Sequence, residues 1–548
     1  MFYILSLFWL TRTTKITLFY FYLWQLKEYQ VKRFIDHFRT DKGKQLLFGK
    51  FILVKIIIFI PFIFLLYSKT YLGREFFLSA ISGALLFLYI FEILVFLKNI
   101  FQKNLKKPVL TKKTGFLILF GLIIEFVIIA ILITLVKDVF VFFFWLLLFD
   151  ILFPLIVSSI VLLIQPFSVL YRNKMIIDKA KIKRKEFKNL KVIGITGSFG
   201  KTSTKEILYT ILSSKFKTLK TSEHQNSEVG ISQCILNELK LKHEIFIVEM
   251  GTYGRGGIKL LSDIAKPEIG ILTGINQQHM SLFGSQDIIV KTKYELIESL
   301  PKNGLAVFNG DNKYCIGLYK STNIAKKLLY SSKKAELKDT SKPDIWTENI
   351  KMEKEYISFK VQTKDGQSAD FKVNILGIQN VPNILGAILV AKELDMNLNE
   401  ISKACLEITQ DFGAMKLIKG KDDPFVLSAV YSTNPDGVIA DLDYLKIWQG
   451  KKAIIMPSLI ELGESSKDVH FKIGQQIGEA CDLAIITTSE RFEELKKGAI
   501  ESGMKKDNIL FLEKPDDIIE HINNFSSPGD VILLEGRVPK EISDFLKK

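Results

Sequence analysis

Apolar positions crowd the first 170 residues of the chain and then thin into a mixed pattern. A helix needs about 20 mostly apolar residues to cross a hydrocarbon core. Residues 51–67 are nearly unbroken, with Lys55 and Pro61 as the interruptions. Residues 76–97 carry one carboxylate, Glu92, and residues 115–136 carry Glu125. Residues 139–164 carry Asp150 and Pro154. Near the start, the apolar runs 2–10 and 16–26 flank a polar stretch, 11–15, and together predict one imperfect span. No basic start or small-residue cleavage site marks a removable leader.

The loops between these runs alternate in charge. Residues 27–50, 98–113 and 172–191 are strongly basic, whereas 68–75 and 137–138 carry little charge. Basic loops stay on the cytoplasmic side. The pattern therefore predicts five spans, an outer N-terminus and a cytoplasmic second half. The expected location is the inner (cytoplasmic) membrane, with membrane lipids around an N-terminal α-helical transmembrane bundle over 1–170. A basic linker, 171–190, follows. Glu92, Glu125 and Asp150 either grip a lipid headgroup or partner, or pair within the bundle, because buried charge is costly.

After residue 191 the periodicity changes. Residues 192–196 predict a short strand, and Ile207, Leu208, Ile211 and Leu212 predict a helix face. Between them lies Gly-Ser-Phe-Gly-Lys-Thr-Ser at 197–203. Strand, glycine turn and helix together form the context of a phosphate-binding loop. Gly197, Ser198, Gly200 and Ser203 would bring backbone N–H groups around phosphate oxygens. Lys201 would neutralise the terminal phosphates of ATP, and the Thr202 hydroxyl would ligate Mg²⁺. The loop is shorter than the common form, since its first glycine lies three residues before Gly200 and position 195 is Ile. Farther on, 453–456, 483–487, 509–512 and 531–534 predict strands separated by helices, hence a small doubly wound C-terminal domain. The expected domains are 191–410 and 411–548.

Composition adds limits. With 548 residues the chain holds two or more domains. Its net charge of +16 belongs mostly to loops beside apolar runs, and no nucleic-acid module is present. Cys234, Cys315, Cys405 and Cys481 are far apart and suggest neither zinc nor a disulfide framework.

Several motifs then follow in a recognisable order. After T-G-S-F-G-K-T-S come His224 to Gly230 (H-Q-N-S-E-V-G), Ile247 to Gly251 (I-V-E-M-G) and Leu272 to His279 (L-T-G-I-N-Q-Q-H). Leu282 to Ser285, Lys293-Tyr294-Glu295, Val307 to Asp311 and Gly377 to Asn383 continue the series. Together they resemble the Mur ligases, which build peptidoglycan peptides, and most of all the branch that adds D-alanyl-D-alanine. The resemblance spans about 190–540 and is strongest before 400.

It implies a central ATP-binding α/β domain, a Rossmann-like C-terminal domain and an ATP-dependent amide ligase acting through an acyl phosphate. Lys201, Glu249, His279 and Lys293 are the implied catalytic set. Thr202, Glu249, His279 and Lys293 would hold two Mg²⁺ ions, with Lys293 carbamylated by CO₂. Asn380, Asn383 and Asn434 would line the nucleotide. The implied partners are a carboxylate cell-wall precursor, an amine such as D-alanyl-D-alanine, and other envelope-synthesis proteins.

Departures fall on the acceptor side. Gln379 replaces a histidine, and Ser428 and Ala429 replace two acidic residues before Tyr431. The arginine expected near Gly413 is absent, with Lys416 the nearest cation, and Glu535-Gly536-Arg537 stands for K-G-S-R. At the front, about 25 residues separate the last apolar run from the loop, too few for a uridine-binding domain. A different acceptor, a lipid-linked substrate, or a non-catalytic ATP-binding scaffold therefore stay open. A transporter is a weaker reading, because no internal repeat is evident.

Overall fold

A computed structural model describes residues 2–547 except 28, 30, 39–40, 49, 69–72, 103, 224, 278–279, 333–341, 410–414, 421–423, 430–433 and 461. The chain forms two compact units, Met1–Arg172 and Asn173–Lys548.

The first unit is helical. Its long helices are α1 (Phe2–Leu26), α2 (Lys50–Tyr67), α3 (Arg74–Phe101), α4 (Lys112–Leu135) and α5 (Val139–Glu186), the last of which leaves the unit. Among the described residues, four stretches are long and apolar enough to cross a membrane: Gly43–Tyr67, Arg74–Phe101, Lys113–Leu135 and Val139–Gln165. Five were expected from the apolar pattern. α1 is a single continuous helix, but Arg12, Lys15 and the threonines between and beside them keep it out of that class. It packs against α3 and α4 and buries Trp9, Arg12, Thr17, Phe21 and Trp24. The other helices turn large apolar side chains outward, Ile57, Phe87, Phe126 and Leu155 among them.

The carboxylates Glu92 and Asp150 pair inside this unit. Arg12 is bonded to both, and Lys55 lies 2.9 Å from Glu92 and 3.3 Å from Asp150. Glu125 accepts from Thr17 at 2.6 Å and Thr14 at 3.2 Å.

The second unit begins on the C-terminal part of α5. Ile177, Ala180, Phe187 and Leu190 present an apolar stripe to Phe246, Val248 and Ile264. The Arg184 guanidinium donates to the carbonyls of Ala265 at 2.9 Å and Phe187 at 2.8 Å. The stretch expected as a basic linker is thus largely a docked helix, because it carries an apolar face as well as charge.

A nine-stranded sheet follows, built from β1 (Lys191–Thr196), β2 (Thr218–Lys220), β3 (Ile245–Glu249), β4 (Ile269–Leu272), β5 (Leu305–Asn309), β6 (Lys326–Ser331), β7 (Ile345–Met352), β8 (Ile357–Thr363) and β9 (Ser368–Val373). The order is β2-β3-β1-β4-β5-β6-β7-β8-β9, parallel as far as β7 and antiparallel beyond it. β3 to β5 are wholly buried, as a parallel sheet covered on both faces requires. The β7–β9 meander adds an antiparallel flank to the expected pattern. β1 pairs with β3 on one side and β4 on the other, so the chain reverses direction across the sheet there. Ligands of open α/β sheets bind in the crevice at the carboxyl ends of strands around such a point.

A second sheet, β10-β11-β15-β12-β13-β14, comprises β10 (Lys416–Lys419), β11 (Phe425–Ala429), β12 (Lys452–Met456), β13 (Leu483–Ile486), β14 (Ile509–Phe511) and β15 (Val531–Glu535). It is parallel except for β10. The last four of these strands match the predicted apolar segments, with ends shifted by one residue at most.

Candidate active site

The 197–203 loop leaves the carboxyl end of β1 and opens α6 (Lys201–Ser213). Gly200, just before the helix, has φ +78° and offers no side-chain cap, so the first-turn N–H groups face outward uncapped. A Cβ at Gly200 would come 2.3 Å from Asn383 Oδ1, and one at Gly197 would come 2.2 Å from Thr273 Oγ1. Both glycines are therefore required by close approach. Ser198 donates its N–H to the Gly274 carbonyl at 2.7 Å, and its hydroxyl accepts from the Asn276 N–H at 3.2 Å. Thr273 donates to the Phe199 carbonyl. Ser203 lies half-buried in the first turn of α6.

Lys201 folds over this loop, its ammonium 2.8 Å from the Gly197 carbonyl and 3.0 Å from that of Ser198. Burial lowers its pKa and Glu249 opposes the change. Glu249 ends β3 and is 6% exposed. Its Oε2 accepts from the Thr202 hydroxyl at 3.0 Å and lies 3.2 Å from the Lys205 ammonium. Its Oε1 accepts from Asn226 Nδ2 at 3.1 Å. Burial alone would raise the Glu249 pKa, but Lys205, Lys201 and Asn226 outweigh it and hold the carboxyl below its usual value.

Lys293 sits on α7 (Gln286–Glu298), 5% exposed. Burial and then the charge of Lys201 push its pKa down to about 7, against a smaller upward pull from Glu295. His279 lies outside the described residues, as do Gly413 and Tyr431.

Asn380 and Asn383 are buried beneath the loop, Asn380 just before α8 (Val381–Glu393) and Asn383 within it. Asn383 receives a hydrogen bond from Thr204 at 3.4 Å and donates to Asn380 at 3.2 Å, and Asn380 donates to the Leu376 carbonyl at 2.8 Å. Asn434 caps α9 (Pro435–Leu445). Its Oδ1 accepts from Gly437 N and from Asn276 Nδ2, both at 3.2 Å, while Asn276 also donates to Asp436 at 2.8 Å. The structure thus gathers Thr202, Glu249 and Lys201, packs Asn383 against Gly200 and Thr204 of the same segment, and links Asn434 to the loop through Asn276.

Three residues outside the expected set touch it: Lys205, Asn226 and Asn276. Lys205 carried a readable signal, lying one turn beyond Lys201 and on the inward face with Leu208 and Leu212. Asn226 and Asn276 reach the site through the sheet, which periodicity does not show.

The chemistry of the donors suits a hard divalent ion. A charged carboxylate and a hydroxyl meet at 3.0 Å beside uncapped helix N–H groups. Among the described residues no three His, Cys, Asp or Glu side chains cluster.

Known families give this geometry a place. The family profile described as Mur ligase middle domain matches residues 195–391, and the one described as Mur ligase, glutamate ligase domain matches 415–538. The chain belongs to the Mur ligase family. It is accordingly an ATP-dependent ligase of the amide-forming class. The UDP-N-acetylmuramoyl-tripeptide–D-alanyl-D-alanine ligase of Bacillus subtilis is 24% identical over 359 residues, covering 65% of this chain and 75% of that protein. The enzyme of the same name from Synechocystis is 29% identical over 347 residues, covering 63% and 71%. A crystal structure of MurF from Acinetobacter baumannii superposes with TM-score 0.61 at 23% identity, over 69% of this chain and 81% of that one. MurF from Thermotoga maritima in complex with ADP gives 0.59 at 23% identity, over 68% and 83%. These two structures share the fold of the second unit's sheets.

Proposed function

We propose that the chain is a MurF-like ligase held at the cytoplasmic face of a membrane, joining a carboxylate cell-wall precursor to an amine such as D-alanyl-D-alanine. The observation that carries this reading is the convergence of Lys201, Thr202 and Glu249 at the sheet's reversal point, behind an uncapped helix start. The relatives' names supply the substrate class, and the four long apolar helices support the membrane.

In this reading the loop N–H groups and Lys201 grip the phosphates of ATP and hold the terminal one in line with the substrate carboxylate. The carboxylate attacks, ADP leaves, and an acyl phosphate forms. The amine then displaces phosphate. Thr202 and Glu249, with His279 and Lys293, would hold Mg²⁺, which supplies charge neutralisation on the transferring group. Lys293 is buried, and that burial, with the charge of Lys201, disfavours its ammonium. Carbamylation would give it the opposite charge: the neutral amine adds CO₂ and releases a proton. Asn276 and Asn434 would draw the C-terminal domain against the loop.

A second reading, a ligase with another acceptor or a lipid-linked substrate, is favoured by Ser428 and Ala429. β11 places Ala429 in register with Glu535 of β15. Where the family resemblance implies an acid beside a lysine, this chain has alanine beside an acid. The test is mass spectrometry of products from ATP, D-alanyl-D-alanine and either UDP-linked tripeptide or membrane extract. A dipeptide adduct formed by wild type and lost in Lys201→Ala supports a D-alanyl-D-alanine ligase. An adduct formed with membrane extract alone points to the lipid-linked substrate. Absence of ADP with every carboxylate and amine pair would leave a non-catalytic scaffold.

A further inference from the structure

Lys205 is a fully buried lysine in a place the expected catalytic set does not use. Its ammonium lies between two carboxylates, 3.2 Å from Glu249 Oε2 and 3.3 Å from Glu206 Oε1. Glu206 is in turn bonded to Lys220 of β2. The four side chains form a row of alternating charge, from Glu249 at the end of β3 outward to Lys220.

The oxygens of Glu249 are divided between different neighbours. Oε1 accepts from Asn226, whereas Oε2 accepts from the Thr202 hydroxyl and lies within ion-pair distance of the Lys205 ammonium. Oε2 is therefore the oxygen that would share a divalent ion with the Thr202 hydroxyl, and Lys205 already occupies it. An ion arriving alone meets the ammonium at close range in a buried setting, where like charges repel strongly. An ion arriving with a nucleotide brings several negative charges and reverses that balance. Glu206 gives the ammonium a second partner at nearly the same distance, so Lys205 need not become an unpaired buried charge when Oε2 is taken.

We propose that Lys205 is a positioning residue that holds Glu249 in place before the nucleotide arrives and, by competing for Oε2, prevents a divalent ion from binding ahead of the nucleotide. The proposal rests on the ligase reading above and adds an order of loading to it.

The experiment uses Mn²⁺ as probe, observed by electron paramagnetic resonance, with the full chain in detergent micelles, first alone and then with ADP. Wild type is expected to bind Mn²⁺ alone weakly and Mn²⁺ with ADP much more tightly. Lys205→Met should bind Mn²⁺ alone roughly tenfold more tightly and lose most of the gain that ADP confers. Lys205→Arg, which keeps the charge, should behave as wild type. Unchanged or weaker binding of Mn²⁺ alone by a folded Lys205→Met would overturn the proposal, as would an Arg variant that behaves like the Met variant. If Lys205→Met does not fold, Glu206→Gln serves instead. It removes the alternative partner, and weaker binding of both Mn²⁺ alone and Mn²⁺ with ADP is expected; unchanged binding of both overturns the idea. Failure of wild type to bind Mn²⁺ with ADP at all would sink the ligase reading itself. A normal ADP response with an inert Lys205→Met would sink the loading order alone.

Discussion

Two groups of buried charge, one in each unit, are built from the same residue types and end differently. In the helical unit, Arg12, Lys55, Glu92 and Asp150 come from four helices and form two cations against two anions, each cation paired with both carboxylates. In the ligase unit, Lys205 lies between Glu249 and Glu206, Lys220 pairs with Glu206, and Lys201 acts on both Glu249 and Lys293, at the open end of a parallel sheet. The four charges of the first group balance one another, with Lys15 near them as a further cation, and their geometry joins helices in one register. In the second, the Lys201 ammonium rests on backbone carbonyls and stands beside uncapped N–H groups, so an anion completes it. A buried charged residue therefore signals function in this chain when its network is left open to an anion, and structure when the network closes on itself.

The largest expected effect breaks the closed group. Arg12→Met leaves Glu92 and Asp150 sharing Lys55, and loss of one partner from a buried network costs about 3–5 kcal/mol. Thermal melting in detergent should show the helical unit collapsing. Replacing all four side chains by Met and Leu should restore most of that loss, since a neutral apolar core avoids the desolvation cost. If the quadruple variant melts as early as Arg12→Met, the group is more than a register device.

A smaller effect comes from a third acidic pair, Asp441 and Glu535, beside Gln379 of the middle domain. Gln379 Nε2 donates to Asp441 at 2.7 Å. Burial carries the Asp441 pKa up to about 7 against hydrogen bonds from Glu535 and Gln379 that lower it. Burial, with the neighbouring Asp441, raises Glu535 well above its usual range. Raised carboxyl pKa values mean that the folded state holds protons the unfolded chain releases. The stability this pair contributes should then be full at and below the unfolded pKa of about 4 and be lost as pH rises through about 7. Asp441→Asn should flatten that slope, read from melting temperatures between pH 5 and 8. An unchanged slope would assign it elsewhere.

The smallest expected effect is at Asn276, where alanine removes hydrogen bonds to Asn434 and Asp436. A loss of about 1 kcal/mol is expected in closure of the C-terminal domain on the loop. ATP turnover should fall several-fold with little change in melting temperature. A large drop in melting temperature would make Asn276 structural instead.

Much of this molecule could be read along the chain. The apolar runs, the strand–turn–helix at 192–212 and the alternating elements after 450 are local patterns, and local periodicity follows from residues a few positions apart. The motif order through Glu249 and Lys293 was equally readable, because each motif is short and contiguous. The folded chain alone decided what lies across long separations. Arg12 meets Asp150, Lys205 meets Glu249, and Ala429 stands beside Glu535 only because helices pack and strands pair. It also turned the basic stretch before residue 190 into a docked helix, since its apolar stripe needs a partner surface to become visible. Charge pairing and strand adjacency act through space, and a linear pattern records the charges without recording which of them meet.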